Sequence, residues 1–183
     1  MKQILFIVGS LRRNSFNLQL AKEVEKILEG KACVRFLNYT DIPFMNQDIE
    51  FPAPETVKHI RQGIKGADGI WIFTPEYNHS YPGHLKNLLD WLSRPITQGD
   101  PNRITAIAGK KVCMSGVAGR SAASDSMDKL TELLRLIKAD IMEISRFGVA
   151  LDGTSFATDC LNLTENQKEG LCEQAEAFLA FIS

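Results

Sequence analysis

The chain has 183 residues, 44% of them apolar and 23% charged, enough for a single domain that buries roughly 70% of the surface its unfolded form exposes. Lys and Arg number 21 against 22 Asp and Glu, a formal net charge of −1, so no global field draws it to a polyanion such as nucleic acid or an anionic bilayer. No apolar run approaches the about eighteen residues that span a membrane, and Met1-Lys2-Gln3 enters an apolar run without the layout of a signal peptide. A cytoplasmic protein, with neither nucleic acid nor membrane as partner, is expected. Cys33, Cys113, Cys160 and Cys172 stand far apart, without a C-x-x-C pair or a histidine at ligand spacing; packed thiols are expected rather than a zinc site or a disulfide framework.

In chain order, Ile4-Leu5-Phe6-Ile7-Val8 is a continuous apolar run ending in Gly9-Ser10, as in a strand buried on both faces of a parallel sheet. Leu20, Val24, Ile27 and Leu28 then fall at helical spacing, with Gly30 as the stop. Cys33-Val34-Arg35-Phe36-Leu37 carries an interior charge and reads as an edge strand. A long connection from Asn38 to Pro54 precedes a short helix bearing Val57, Ile60 and Ile64. Ile70-Trp71-Ile72-Phe73 is the third, central strand, and Leu85, Leu88, Leu89 and Leu92 mark the helix after it, with Pro82 near its first turn. Val112-Cys113-Met114-Ser115 is the fourth strand, followed by a helix with Met127, Leu130, Leu134 and Ile137. Ile141-Met142-Glu143-Ile144 reads as the opposite edge. The last helix opens at Thr164-Glu165-Asn166-Gln167, a capping box, and carries Leu171, Ala175, Phe178, Leu179 and Ile182.

Five strands alternating with five helices, without a linker or repeat, predict one α/β domain over residues 1–183. It is a three-layer sandwich around a five-stranded parallel sheet of order 2-1-3-4-5, and that order puts a ligand crevice between the carboxyl ends of strands one and three.

The loops at that end carry the chemistry. After strand one come Ser10, Arg12, Ser15 and Asn17, two hydroxyls, a guanidinium and an amide ahead of a helix N-terminus, a set suited to a phosphate group. The loop has neither G-x-G-x-x-G nor G-x-x-x-x-G-K-[ST], which excludes a dinucleotide fingerprint and an ATP or GTP loop. It contains no cysteine, which excludes a cysteine phosphatase. After strand three, Thr74-Pro75-Glu76-Tyr77-Asn78 offers rigid backbone, an aromatic face and amides for a planar heterocycle; Tyr77 and Tyr81 read equally well as loop-packing rings. His79 and His84 are five apart, wrong for one helical face, and read as solvated loop histidines. After strand four, Ser115-Gly116-Val117-Ala118-Gly119 fits either close backbone approach to a ligand or a plain tight turn.

Together these loops resemble the NADPH-dependent FMN reductase family, which includes flavodoxin-like quinone, chromate and azo-dye reductases. Gly9-Ser10-Leu11-Arg12 with Ser15 and Asn17 is similar to its G-S-[LIT]-R-x-x-S-x-N phosphate loop. Thr74 to Asn78, with Pro82-Gly83 and Leu85-Lys86-Asn87, is similar to its T-P-E-Y-N…P-G-x-L-K-N signature, and Ile42 to Asp48 to its long second loop. The stretch Ile96 to Gly109 is longer than in relatives, and Ser115 to Gly119 less glycine-rich.

The resemblance implies FMN as cofactor and NADPH or NADH as electron donor. Ser10, Arg12, Ser15 and Asn17 would hold the FMN phosphate; Pro75, Glu76, Tyr77 and Asn78 the isoalloxazine; and Ser115, Gly116, Val117 and Gly119 its pyrimidine side. It implies no catalytic side chain and no metal, since the flavin carries the redox chemistry. It also implies a small-molecule electron acceptor and a homodimer or homotetramer. The competing reading is an electron carrier like flavodoxin; near-neutral charge and Arg12-Arg13 in the phosphate loop disfavour it.

Overall fold

The computed structural model describes residues 1–143 and 146–183. β1 (Lys2–Val8), α1 (Phe16–Ile27), β2 (Ala32–Phe36), α2 (Glu55–Gly66), β3 (Gly69–Thr74), α3 (Gly83–Leu92), β4 (Lys111–Ala118) and α4 (Ser124–Leu136) follow one another. Then come β5 (Asp140–Ile141), β6 (Phe147–Ala150), a short α5 (Gly153–Thr158) and α6 (Glu165–Phe181). The sheet has order β2-β1-β3-β4-β5, with β6 also paired to β4, and every pairing is parallel. The predicted three-layer sandwich and strand order are those observed.

Two boundaries differ from the sequence reading. The outer position beside β4 is filled in two segments, β5 against Lys111 and Val112 and β6 against Ser115 to Ala118. Of the expected fifth strand only Ile141 lies in β5; the Met142 N–H still donates to the Val112 carbonyl at 2.8 Å, Glu143 is outside the strand, and Ile144 lies outside the described residues. Because β6 continues the pairing, β4 runs past Ser115 to Ala118, so Gly116 and Val117 lie inside the strand and not in the loop beyond it. The short α5 is a further element that no periodic pattern announced.

Alternation sorts the core. Leu5, Ile7, Ile70, Ile72, Val112 and Met114 face α2, α3 and α4, where Ile60, Ile64, Leu88, Leu92, Leu130 and Leu134 meet them. Ile4, Phe6, Trp71, Phe73, Cys113 and Val117 face α1 and α6 through Leu20, Val24, Leu171 and Phe178. Each such side chain contributes roughly 1.5–3 kcal/mol on burial. On the second face a polar chain crosses the core: the Trp71 indole N–H donates to Ser115 Oγ at 2.9 Å, that hydroxyl to Gln174 Oε1 at 2.7 Å, and Gln174 Nε2 to the Met114 carbonyl at 2.9 Å. Ser115, fully buried, therefore ties α6 to the sheet.

The long second connection is clamped to α3. Asn87 Nδ2 and the Trp91 indole N–H both donate to the Pro43 carbonyl, at 2.9 and 2.8 Å, and Asn87 Oδ1 accepts the Met45 N–H at 2.8 Å. Arg94 adds a two-pronged pair to Glu50 at 2.8 Å on each prong. The extended segment before β4 closes on itself through Ile96 N–H to the Ile104 carbonyl at 2.9 Å. Of the four cysteines, all free, only Cys113 is fully buried; Cys160 and Cys172 are exposed, contrary to the packed thiols expected.

A Cβ at Gly116 would lie 2.6 Å from Ala123 Cβ and 2.7 Å from the Thr74 carbonyl oxygen, whereas one at Gly119 meets nothing within 4 Å. Gly116→Ala is expected to lower stability in urea melts by about 1–3 kcal/mol, and Gly119→Ala to stay within about 0.5 kcal/mol of the parent.

Candidate functional site

Because β1, β3 and β4 are parallel, the loops after them leave the same edge of the sheet. The Gly9 N–H donates to the Phe73 carbonyl at 2.7 Å. A Cβ on Gly9 would come within 3.2 Å of Pro75 Cδ, so a glycine lets the first loop pass directly against the third.

Ser15 caps α1, its Oγ accepting the Leu18 N–H at 3.4 Å. The Phe16 and Asn17 N–H groups, in the first turn, have no acceptor within the helix, and the aligned peptide dipoles make this end an anion site. Asn17 itself is 2% exposed. Its Nδ2 donates to the Val117 carbonyl at 3.0 Å and its Oδ1 accepts the Val117 N–H at 2.9 Å. The side chain expected on a phosphate is thus spent on β4, and only its backbone N–H is left for an anion. Arg12 pairs with Asp159 at 2.6 Å and lies over the Phe16 ring, 5.0 Å from its centroid.

In the loop after β3, Glu76 has a side chain only 8% exposed, and its Oε2 accepts the Ser126 N–H at 3.1 Å. Ala123, at the N-cap of α4, has φ 62° and no side-chain cap, so Glu76 caps that helix from another part of the chain. Tyr77 and Ser80 exchange backbone hydrogen bonds at 2.8 and 3.1 Å. Between them Asn78 and His79 have φ 52° and 60°, the doubly left-handed centre of a type I′ turn. Asn78 shapes the turn and is exposed.

His79 is a solvent-exposed loop residue, as expected, though paired with a carboxylate, whereas His84 lies in α3 and is not. His79 Nδ1 lies 2.5 Å from Asp125 Oδ2 and 3.9 Å from Glu76 Oε1. His84 is half-buried and stacked on Tyr39 at 5.4 Å and 17°. Its buried Nε2 has no partner among the described residues, and burial lowers its pKa below the ordinary 6.5. Tyr39 donates its hydroxyl to the Val8 carbonyl at 2.8 Å, and burial pushes its own pKa upward.

Ser10, Arg12, Ser15, Asn17, Pro75, Glu76, Tyr77, Val117 and Gly119 line one cleft of about 450 Å³, within the range of cofactor sites. Asn78, Ser115 and Gly116 do not line it; the Ser115 hydroxyl faces the core, and Gly116 packs under Ala123. Ala118, of the expected Ser115–Gly119 stretch, lines it too, as do Phe16, Leu151, Phe156 and Asp159, which were not singled out. Phe16 could have been read from its place between Ser15 and Asn17; nothing in the sequence pattern marked Phe156 or Asp159. A larger groove, about 720 Å³, runs from Arg35–Asp41 to Glu55–Gly63 beside β2. It involves none of the loops after β1, β3 and β4, and the smaller cleft is where anion donors and a flat wall meet.

Residues 2–153 match the family described as NADPH-dependent FMN reductase. The chain belongs to this family. A quinone reductase of Escherichia coli is 44% identical over 151 residues, 79% of this chain and 76% of its own. A 2-hydroxy-1,4-benzoquinone reductase of a Burkholderia species is 42% identical over 63% of this chain. The aligned stretch spans 64% of that relative and 59% of a Pseudomonas putida quinone reductase, under two thirds of either. Among solved structures, the flavoenzyme NAD(P)H:(acceptor) oxidoreductase FerB of Paracoccus denitrificans superposes with a TM-score of 0.86 at 30% identity, covering 100% of this chain and 97% of its own. No helix of this FMN reductase family member is long and apolar enough to cross a membrane among the described residues.

Asn17→Leu strands the Val117 N–H and carbonyl in a buried position, and is expected to cost about 2–4 kcal/mol in denaturant unfolding. For His84, folding favours the neutral ring. Its contribution is complete above the ordinary pKa of 6.5 and is lost as pH falls through that value toward the lower folded one. His84→Phe, which keeps a ring against Tyr39, is expected to flatten the decline in melting temperature between about pH 7 and 5.

Proposed function

We propose that the chain is an NAD(P)H-dependent, FMN-containing oxidoreductase acting on quinone-type and other small electron acceptors. What supports the reading is the meeting of the phosphate loop and the Thr74–Asn78 loop on one cleft, in a chain of this family. The donor set fits the cofactor: α1 presents first-turn N–H groups and Ser10 a hydroxyl where a phosphate would lie, and Pro75, buried at the end of β3, makes a rigid wall for a planar ring. Bound FMN supplies the redox chemistry, accepting hydride equivalents from NADPH or NADH and yielding them to the acceptor.

The protein's part is to bind, orient and exclude. Ser10, Arg12, Ser15 and the Asn17 N–H would hold the phosphate. Pro75, Glu76 and Tyr77 would border the isoalloxazine, with Asn78 shaping the turn behind them; Glu76 would do so through its backbone, because its carboxylate is committed to α4. Val117 and Gly119 border the pyrimidine edge, held in register by Ser115 and Gly116 within β4. Tyr77, 52% exposed, offers an aromatic face to the acceptor. A homodimer or homotetramer goes with this reading, and Phe44 and Ile104, 84% and 59% exposed, provide apolar surface for it.

Purified protein loaded with FMN is expected to oxidise NADPH or NADH when 1,4-benzoquinone is added. Flavin retained without acceptor-dependent oxidation would favour the carrier reading, and no flavin uptake would overturn both. Arg12→Ala is expected to weaken FMN about tenfold more than riboflavin, which lacks the phosphate, in fluorescence titrations.

A further inference from the structure

The loop after β1 is already in contact with an anion of the protein's own. Asp159, just past α5, adopts φ 55°, a left-handed conformation that costs an aspartate more than a glycine. Its Oδ1 accepts from Arg12 Nη1 at 2.6 Å and its Oδ2 from Asn14 Nδ2 at 2.7 Å. Its carbonyl accepts from Asn14 Nδ2 at 2.8 Å and from Gln19 Nε2 at 3.1 Å. Gln19 Oε1 in turn accepts the Leu161 N–H at 2.7 Å. Hydrogen bonds from Asn14, and then Arg12, hold the Asp159 carboxyl below the ordinary carboxylate range, so it is ionised at neutral pH.

This contact belongs to the cleft and not to a remote surface. Arg12 and Asp159 both line it, as does Phe156 of the same segment, which meets the Phe16 ring edge-on at 6.1 Å. The family match stops at residue 153, short of both Phe156 and Asp159. Arg12 has one guanidinium, and its side chain and that of Asp159 are about half exposed, at 48% and 46%. A phosphate reaching the same guanidinium meets a carboxylate already there, and like charges at such range repel.

We propose that Asp159 is a specificity-determining residue of the flavin site: its carboxylate competes with the 5′-phosphate of FMN for Arg12, so the chain prefers FMN over riboflavin less than its phosphate loop alone would. The inference rests on the flavin reading above. It carries a mechanical corollary, since Asp159 and Gln19, together with the Phe156–Phe16 ring contact, fasten the segment from Phe156 to Leu161 against α1. A phosphate that draws Arg12 away loosens that strap, and riboflavin does not.

The test is a pair of fluorescence titrations, FMN and riboflavin, on the parent, Asp159→Asn and Asp159→Gly at one ionic strength. The first variant removes charge and keeps shape; the second suits the left-handed backbone and guards against a folding artefact. Both are expected to bind FMN about two to five times more tightly with riboflavin unchanged, the size of an exposed ion pair. Amide hydrogen exchange over 156–161 is expected to rise with FMN and not with riboflavin in the parent. Weaker FMN binding in both variants would overturn the inference and make Asp159 a residue that orients Arg12. Equal shifts for both ligands would overturn it as a general structural effect. A parent that binds neither flavin would overturn the flavin reading itself, an outcome separate from the other two.

Discussion

The paired hydrogen bonds between the Asn17 carboxamide and the Val117 backbone fix the distance between the start of α1 and the end of β4. An asparagine is the natural residue for this, because one planar side chain offers a donor and an acceptor at the spacing of a peptide N–H and C=O. Both partners are buried, at 2% each, so breaking the contact leaves polar groups out of water as well as unbonded. The clip sets where the first-turn N–H groups of α1 stand relative to the loop after β4, and the width of the cleft follows from it. Helix α1 is further held by packing of Leu20, Ala21 and Val24 on the sheet, but such packing alone permits sliding that two directed hydrogen bonds forbid.

Much of this was legible in the sequence, and the reasons differ from element to element. The central strands were readable because Ile4–Val8 and Ile70–Phe73 are buried on both faces, which demands continuous apolar runs. The capping box at Thr164 and Gln167 was readable because it is local, and both of its hydrogen bonds are present. The length of β4 was not, because it depends on β6, whose Phe147–Ala150 stretch is too short and too mixed to stand out. The same dependence hid the role of Ser115: it stands at the end of the expected strand, where a hydroxyl suits a ligand, and only the tertiary fold brings Trp71 and Gln174 to it.

The site shows the same division. The phosphate-loop residues and Pro75, Glu76 and Tyr77 lie on one cleft because spacing along a strand–loop–helix unit is encoded locally. Asn17 was located but given another task, since nothing local reveals that a strand 100 residues on will use both ends of its amide. Asp159 left no trace at all. Its contacts span 140 to 147 positions, and an aspartate followed by cysteine in a polar stretch has no pattern. His84 was misread for a related reason: Tyr39, which covers it, comes from the long second connection, where no periodicity predicts what folds over what.

Two helix N-termini, those of α1 and α4, point to the same edge of the sheet, and each attracts negative charge. The start of α4 is built on two left-handed alanines, Ala122 and Ala123, with φ 51° and 62°, and they fit only because Gly116 and Gly148 have no side chains to collide with them. That strained start has no cap of its own, and the nearly buried Glu76 supplies one at 3.1 Å from Ser126 N. The α4 terminus is therefore satisfied from within, and in satisfying it Glu76 pins the loop after β3 against the cleft. The α1 terminus is capped only by Ser15, whose hydroxyl serves Leu18 and not the N–H groups of Phe16 and Asn17. One of two similar dipoles is thus closed by an internal carboxylate and the other is open to an external anion, and that asymmetry directs a phosphate to the first loop and leaves the second as a neutral wall for a ring.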